Sequence, residues 1–225
     1  MFKRIALLAA ALGLLAVPIT GTAYAQPASP GQTSVAAAAP LTAHPPVSPA
    51  AVTALKGMTP VAPADLAKLL AKASGSAMAP TLRTDGVYDH ITNYNSNQCL
   101  AVPGGSTAQG TGLIQWPCGN WRDHFWSVQY QFTSGGFYWY HVVNLNSGQC
   151  LAVPGGSTAQ GTQVIQWPCG KWADHYWAFA TDRAGVTHIA NGNSGQCLAI
   201  PGGSTAQGTK VIQWPCGQWN DHYWY

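Results

Sequence analysis

Three nine-residue segments carry residue types that could do chemistry: Trp116 to His124, Trp167 to His175 and Trp214 to His222, each reading Trp-Pro-Cys-Gly-x-Trp-x-Asp-His. Two indoles, a carboxylate and an imidazole at this spacing suit the holding of a polyhydroxylated ring. The flat aromatic area meets the ring's C–H face, and the carboxylate oxygens accept from its vicinal hydroxyls. They suit catalysis poorly. Glycoside hydrolysis needs two opposed carboxylates, the chain has no glutamate, and an Asp-His pair without a positioned hydroxyl or thiol lacks its nucleophile.

Plainer roles compete for the same residues. Asp123, Asp174 and Asp221 could cap a turn and orient His124, His175 and His222 onto a backbone carbonyl. Strict alternation along Val164-Ile165-Gln166-Trp167 puts Trp167 on the face of Ile165, so Trp116, Trp167 and Trp214 either pack inward or face a ligand. Trp121, Trp172 and Trp219 stand unchanged among neighbours that vary between segments, which marks them as exposed platforms, with folding over a nearby cysteine pair as the alternative. Trp126, Trp177 and Trp224 read as core.

These segments sit within a longer repeat. Residues 144–177 recur at 191–224 with five differences (Leu145 to Gly192, Val153 to Ile200, Gln163 to Lys210, Lys171 to Gln218, Ala173 to Asn220), and 93–126 are a third copy. Such a period marks a repeated supersecondary unit. All six cysteines lie in the copies, and although six cysteines permit about fifteen pairings, the threefold favours Cys99 with Cys118, Cys150 with Cys169 and Cys197 with Cys216. As disulfides each would contribute ~3 kcal/mol in the chain-entropy model. A metal site is not expected, because the spacing lacks a C-x2-C pair. A second repeated histidine, His90, His141 and His188, precedes an apolar residue in each copy, and period two turns it outward, as a surface group or a hydrogen-bond partner between lobes.

Ahead of the repeats, Lys3 and Arg4, the apolar run Ile5 to Ile19 and Ala23-Tyr24-Ala25 read as a signal peptide over 1–25, so the protein is expected to be secreted and, after cleavage, free of the membrane. Residues 26–84 are rich in Ala, Pro and Ser and read as a disordered linker or tail, available to a secreted protein partner. Within it Pro63, Leu66, Leu69 and Leu70, stopped by Gly75, predict a short helix that is marginal alone. From 85 onward there are four Lys or Arg against six Asp. No clustered basic face suggests nucleic acid.

Each copy shows four strand-like runs, in the second Phe137 to Asn144, Cys150 to Val153, Gln163 to Trp167 and His175 to Phe179, separated by Gly, Pro and Asn clusters. Three times four predicts an all-β domain over 85–225 with twelve short strands. The order Asn-Ser-Gly-Gln-Cys-Leu, Pro-Gly-Gly-Ser-Thr, Gly-Thr, Ile-Gln-Trp-Pro-Cys and a Trp eight residues after the second Cys resembles the ricin-type β-trefoil lectins, including the ricin B chain and family 13 carbohydrate-binding modules, in their secreted bacterial versions. That resemblance implies three lobes with up to one shallow sugar site each. The family's sugar-holding aspartate, two residues after the first cysteine, is here Ala101, Ala152 and Ala199. Its aromatic platform matches Trp116, Trp167 and Trp214; its asparagine is replaced by Asp123, Asp174 and Asp221, and its closing glutamine by His124, His175 and His222. The expected function is a secreted, non-catalytic lectin without cofactors, monomeric, binding a polysaccharide or glycan through similar weak sites acting together. The alternative is a trefoil that has lost sugar binding and serves as a protein-interaction scaffold, for which the irregular connector Ser127 to Trp139 is the candidate loop.

Overall fold

The computed structural model describes residues 47–73, 81–83 and 86–225; the expected signal peptide and residues 26–46 lie outside the described residues. The repeats form a three-lobed β-trefoil. In the second lobe the strands are Phe137–Asn144, Cys150–Ala152, Ile165–Trp167 and Trp177–Thr181. In the third, the strands His188–Asn191, Cys197–Ala199 and Ile212–Trp214 are followed by single-bridge pairings of Trp224 with Asn93 and Thr187.

The apolar residues that recur in each copy converge on one core. Ile91, Val142 and Ile189 meet Leu100, Leu151 and Leu198, with Leu113, Val164 and Val211 beside them. Full burial of such side chains is worth roughly 1.5–3 kcal/mol each. Trp126, Trp177 and Trp224 complete the set, as expected of core residues, and each indole N–H donates to the carbonyl of its own lobe's leucine at 2.9 Å. A cyclic set of backbone bonds closes the threefold: Leu113 N–H to Val164 O (2.9 Å), Val164 to Val211 (3.0 Å) and Val211 to Leu113 (3.0 Å). Each disulfide joins the two cysteines of one copy, as the repeat favoured.

The lobes are also stitched by polar side chains whose importance the sequence did not announce. Gln115, Gln166 and Gln213 are fully buried. Gln166 donates to Ser106 and Ala108 carbonyls of the first lobe (2.8 and 2.9 Å) and accepts from Ser147 Oγ (2.7 Å). Gln115 holds the third lobe's loop at Ser204 and Ala206, and Gln213 holds the second lobe's at Ser157 and Ala159. A buried amide is tolerated because its donors and acceptor are met.

The Ala/Pro-rich segment is not uniform. Its residues 47–73 form a strap on the domain. Helix α1 (Pro49–Ala54) is capped by Ser48, whose hydroxyl accepts from Ala51 N–H at 3.1 Å, and it buries Ala51, followed by Leu55, against Trp139, Tyr176 and Ala190. Thr59–Pro60 pair antiparallel with Thr181 and Ala180. Helix α2 (Pro63–Ala73) then lays Leu66 and Leu70 on the central core beside Trp126 and Tyr140, while the Tyr140 hydroxyl donates to Val61 O at 3.0 Å. The short helix expected to be marginal is thus held by tertiary packing, which is where most helical stability in proteins arises. Gly192, where the second lobe has Leu145, makes room for the start of the strap ahead of α1. A β-carbon there would lie 3.1 Å from Val47 Cγ1 and 2.8 Å from Ala173 O.

The irregular connector is a hairpin of Trp126–Ser134 with Phe137–Asn144. Its tip is covered by the strap, since a β-carbon on Gly135 would stand 2.5 Å from Val52 Cγ2.

Candidate functional site

The Trp-Pro-Cys-Gly-x-Trp-x-Asp-His segments build one cleft per lobe. After the second cysteine the chain makes a short 3-10 turn, Arg122–His124 in the first lobe, closed by His124 N–H to Trp121 O at 3.0 Å. That turn points Asp123 and His124 inward and leaves Trp121 outside, 58% exposed; Trp172 and Trp219 are 58% and 60% exposed. The glycine after each second cysteine sets the indole's position. A β-carbon on Gly119, Gly170 or Gly217 would fall about 2 Å from the ring of Trp121, Trp172 or Trp219 (2.1, 1.9 and 2.0 Å). Each ring therefore sits against bare glycine backbone, beside the imidazole of His124, His175 or His222 at 5.1 Å, and remains more than half exposed.

The opposite wall comes from the strand before the cysteine. Trp116, Trp167 and Trp214 share a face with Ile114, Ile165 and Ile212, as alternation predicted, but that face lines the cleft and not the core. The inward positions belong to Gln115, Gln166 and Gln213, so the inward option for these tryptophans is corrected. The reason is tertiary: each buried glutamine finds two carbonyls across a lobe boundary and a serine hydroxyl in its own lobe. Ala101, Ala152 and Ala199, where the resemblance implied an aspartate, also line the clefts.

All twelve residues predicted for the site thus come together: Trp116, Trp121, Asp123 and His124 around a space of about 300 Å³, and Trp167, Trp172, Asp174 and His175 around one of about 540 Å³. Trp214, Trp219, Asp221 and His222 line two adjoining hollows in the third lobe.

Within each cleft the imidazole Nε2 faces the neighbouring carboxylate, at 3.6 Å for His124 and Asp123, 3.6 Å for His175 and Asp174, and 3.7 Å for His222 and Asp221. His175 Nδ1 accepts from Gly170 N–H at 3.3 Å, which places the ring proton on Nε2, toward Asp174. Burial lowers the pKa of His124, His175 and His222, so the rings are neutral at pH 7, and burial raises that of Asp174. The carbonyl contact considered for these rings is made instead by the other repeated histidine. His90 and His141 Nε2 bond Gly119 O and Gly170 O, both at 3.2 Å.

The outward placement read for His90, His141 and His188 is corrected. His90 and His188 are buried, stacked or tilted against Phe125 and Tyr223, and His141 stacks on Tyr176. Their bonds stay within their own lobe, and the aromatic neighbour supplied by the Asp-His-aromatic sequence makes the inward position apolar enough for a neutral ring.

A pH dependence follows. Burial pushes the folded-state pKa of His175 down to about 4, from 6.5, so the unfolded chain takes up the proton first. Stability is complete above about pH 6.5 and is lost as pH falls toward 4, with a slope reaching about 1.4 kcal/mol per pH unit for this group. Urea denaturation across that range should show the loss, and His175→Gln should lessen it by this group's share, since His141, whose pKa burial also lowers to about 4, keeps its own.

Sequence reasoning missed three further cleft residues. Asn146 of the second lobe donates to Gly105 O at the first cleft (2.8 Å), Asn193 of the third to Gly156 O at the second (2.7 Å), and Asn95 of the first to Gly203 O at the third (2.8 Å). Their recurrence in Asn-x-Asn-Ser was visible, but not that each serves the preceding lobe.

A family profile described as ricin-type beta-trefoil lectin domain-like matches residues 81–167 and 126–214. Among solved structures, the designed threefold-symmetric protein ThreeFoil is 26% identical with a TM-score of 0.58, covering 61% of this chain and 95% of its own. The Macrolepiota procera ricin B-like lectin, solved with lactose, is 20% identical with a TM-score of 0.53, covering 64% and 96%. The exo-beta-1,3-galactanase 1,3Gal43A of Clostridium thermocellum is 23% identical with a TM-score of 0.56, but the match covers only 28% of that enzyme and 60% of this chain. No curated protein sequence matches. Threefold clefts, within-copy disulfides and the profile match over both pairs of adjoining repeats agree: this chain belongs to the ricin-type β-trefoil lectin-like family.

Proposed function

We propose that the protein is a secreted, non-catalytic, monomeric lectin whose three similar clefts act together on a polysaccharide or glycan-coated surface. The observation that carries this reading is the threefold recurrence of one cleft with two solvent-facing tryptophans over a single carboxylate. Indole faces stack on sugar C–H surfaces, and the carboxylate accepts from hydroxyls. One carboxylate per cleft leaves no second group for glycosidic cleavage. Shallow sites bind weakly alone, but engagement of several on one polymer raises avidity by ~10²- to 10⁴-fold.

The test is a glycan array and a polysaccharide panel with the full chain, beside Asp123→Ala/Asp174→Ala/Asp221→Ala. Binding that disappears in the folded variant supports the carboxylate-centred cleft; binding that survives moves recognition to the tryptophans. Absence of binding by the unaltered protein would overturn the lectin reading in favour of a protein-interaction scaffold.

A further inference from the structure

Each cleft is lined for a ligand richer in donors than a neutral sugar. Its charged group is the aspartate, and no lysine or arginine stands among the lining residues of any cleft. Arg122, next to Asp123 in sequence, turns away to Leu145 O at 3.1 Å. The adjacent imidazole is neutral and offers one proton, already directed at the carboxylate.

The amide of the following lobe fixes the backbone beside the carboxylate. A β-carbon placed on Gly105 would lie 3.8 Å from both Asp123 Oδ1 and Asn146 Nδ2; on Gly156, 3.8 Å from Asp174 Oδ1 and 3.6 Å from Asn193 Nδ2; on Gly203, 3.7 Å from Asp221 Oδ1 and from Asn95 Nδ2. Carboxylate and amide thus flank the same glycine three times over. Each Nδ2 donates to that glycine's carbonyl, which holds the loop against the carboxylate. In the third cleft Asn95 lines the hollow with Trp219 and Asp221.

A partly buried carboxylate without a cationic neighbour, beside indole faces, favours a positive ligand over a neutral one. A primary ammonium also carries several N–H donors, which a quaternary ammonium lacks, and so hydrogen-bonds the carboxylate as well as pairing with its charge. Resting on the lectin reading above, we propose that the clefts select sugars bearing a free, protonated amino group. The ammonium pairs with the aspartate, and the pyranose ring lies on the exposed tryptophan. The raised pKa that burial gives Asp174 is the counterpart expected of a carboxylate that lacks its cation.

The experiment is calorimetric titration of the full chain, in mildly acid buffer, with a β-linked glucosamine oligosaccharide and with its N-acetylated counterpart of equal length. Both are repeated at raised salt and with Asp123→Asn/Asp174→Asn/Asp221→Asn, a near-isosteric variant whose folding is checked by thermal melting. The free amine should bind roughly tenfold tighter, since a hydrogen bond to a charged group outweighs its neutral equivalent by that order. The preference should shrink with salt and vanish in the variant. Equal affinity for the two oligosaccharides, a preference for the acetylated one, or a preference unchanged in the variant overturns this selectivity while leaving the lectin reading standing. Failure to bind either of them, with binding to other glycans on the array, overturns the selectivity as well. Failure on every glycan overturns both.

Discussion

Replacing Trp121, Trp172 and Trp219 together with alanine is expected to abolish retention on a polysaccharide that the unaltered protein binds. Each indole is the largest exposed apolar surface of its cleft, and truncating such an anchor costs upward of about 1–2 kcal/mol, roughly tenfold per site. Because the three sites share one polymer, the losses compound to ~10³-fold or more. The fold should not suffer. The rings rest on Gly119, Gly170 and Gly217 from outside, and a surface truncation of this kind leaves stability within about 0.5 kcal/mol. Frontal affinity chromatography with thermal melting as control separates the two effects. Undiminished retention would remove the tryptophan platform from the binding mechanism.

The second large effect concerns the strap. Leu66→Asp with Leu70→Asp is expected to peel α2 from the domain and uncover Trp126 and Tyr140, which share its core cluster. Removing a buried leucine side chain costs about 2–5 kcal/mol, and carboxylates at both positions make redocking unfavourable. The loss is limited by the docking energy of the strap itself, so a combined fall of several kcal/mol in urea denaturation is the expected ceiling. Proteolysis near Lys68, which lies exposed on α2, should accelerate in parallel. An unchanged denaturation midpoint would show that the strap contributes nothing. A fragment starting at residue 85 would lack these contacts from the outset, which is why binding belongs to the full chain.

The same strap shows where residue order stops being informative. Its alternating Ala and Pro composition reads as linker, and its leucines are too few to order a helix unaided. The sign of a docking seat was present, in one of the five changes between two nearly identical copies, Leu145 to Gly192. Its meaning required seeing Val47 pressed against that glycine. Trp167 makes a similar point: alternation grouped it with Ile165 but left open which side the pair takes, and the pair lines the cleft because Gln166 gains its three partners from two lobes.

The sequence by itself determined the threefold repeat, the three-lobed β architecture, the cysteine partners and the make-up of each Trp-x-Asp-His turn. These depend on short separations, nineteen residues for each disulfide and nine for the turn segment, so local geometry is enough to bring the groups together. Only the tertiary structure decided which face each tryptophan presents, that Asn95, Asn146 and Asn193 bond glycine carbonyls at the clefts of the preceding lobes, and that residues 47–73 cover the core. Those contacts join residues far apart in the chain, 108 in the case of Asn95 and Gly203. Their partners are chosen by how the closed ring of lobes packs, and nothing in the neighbouring residues of either partner encodes that choice.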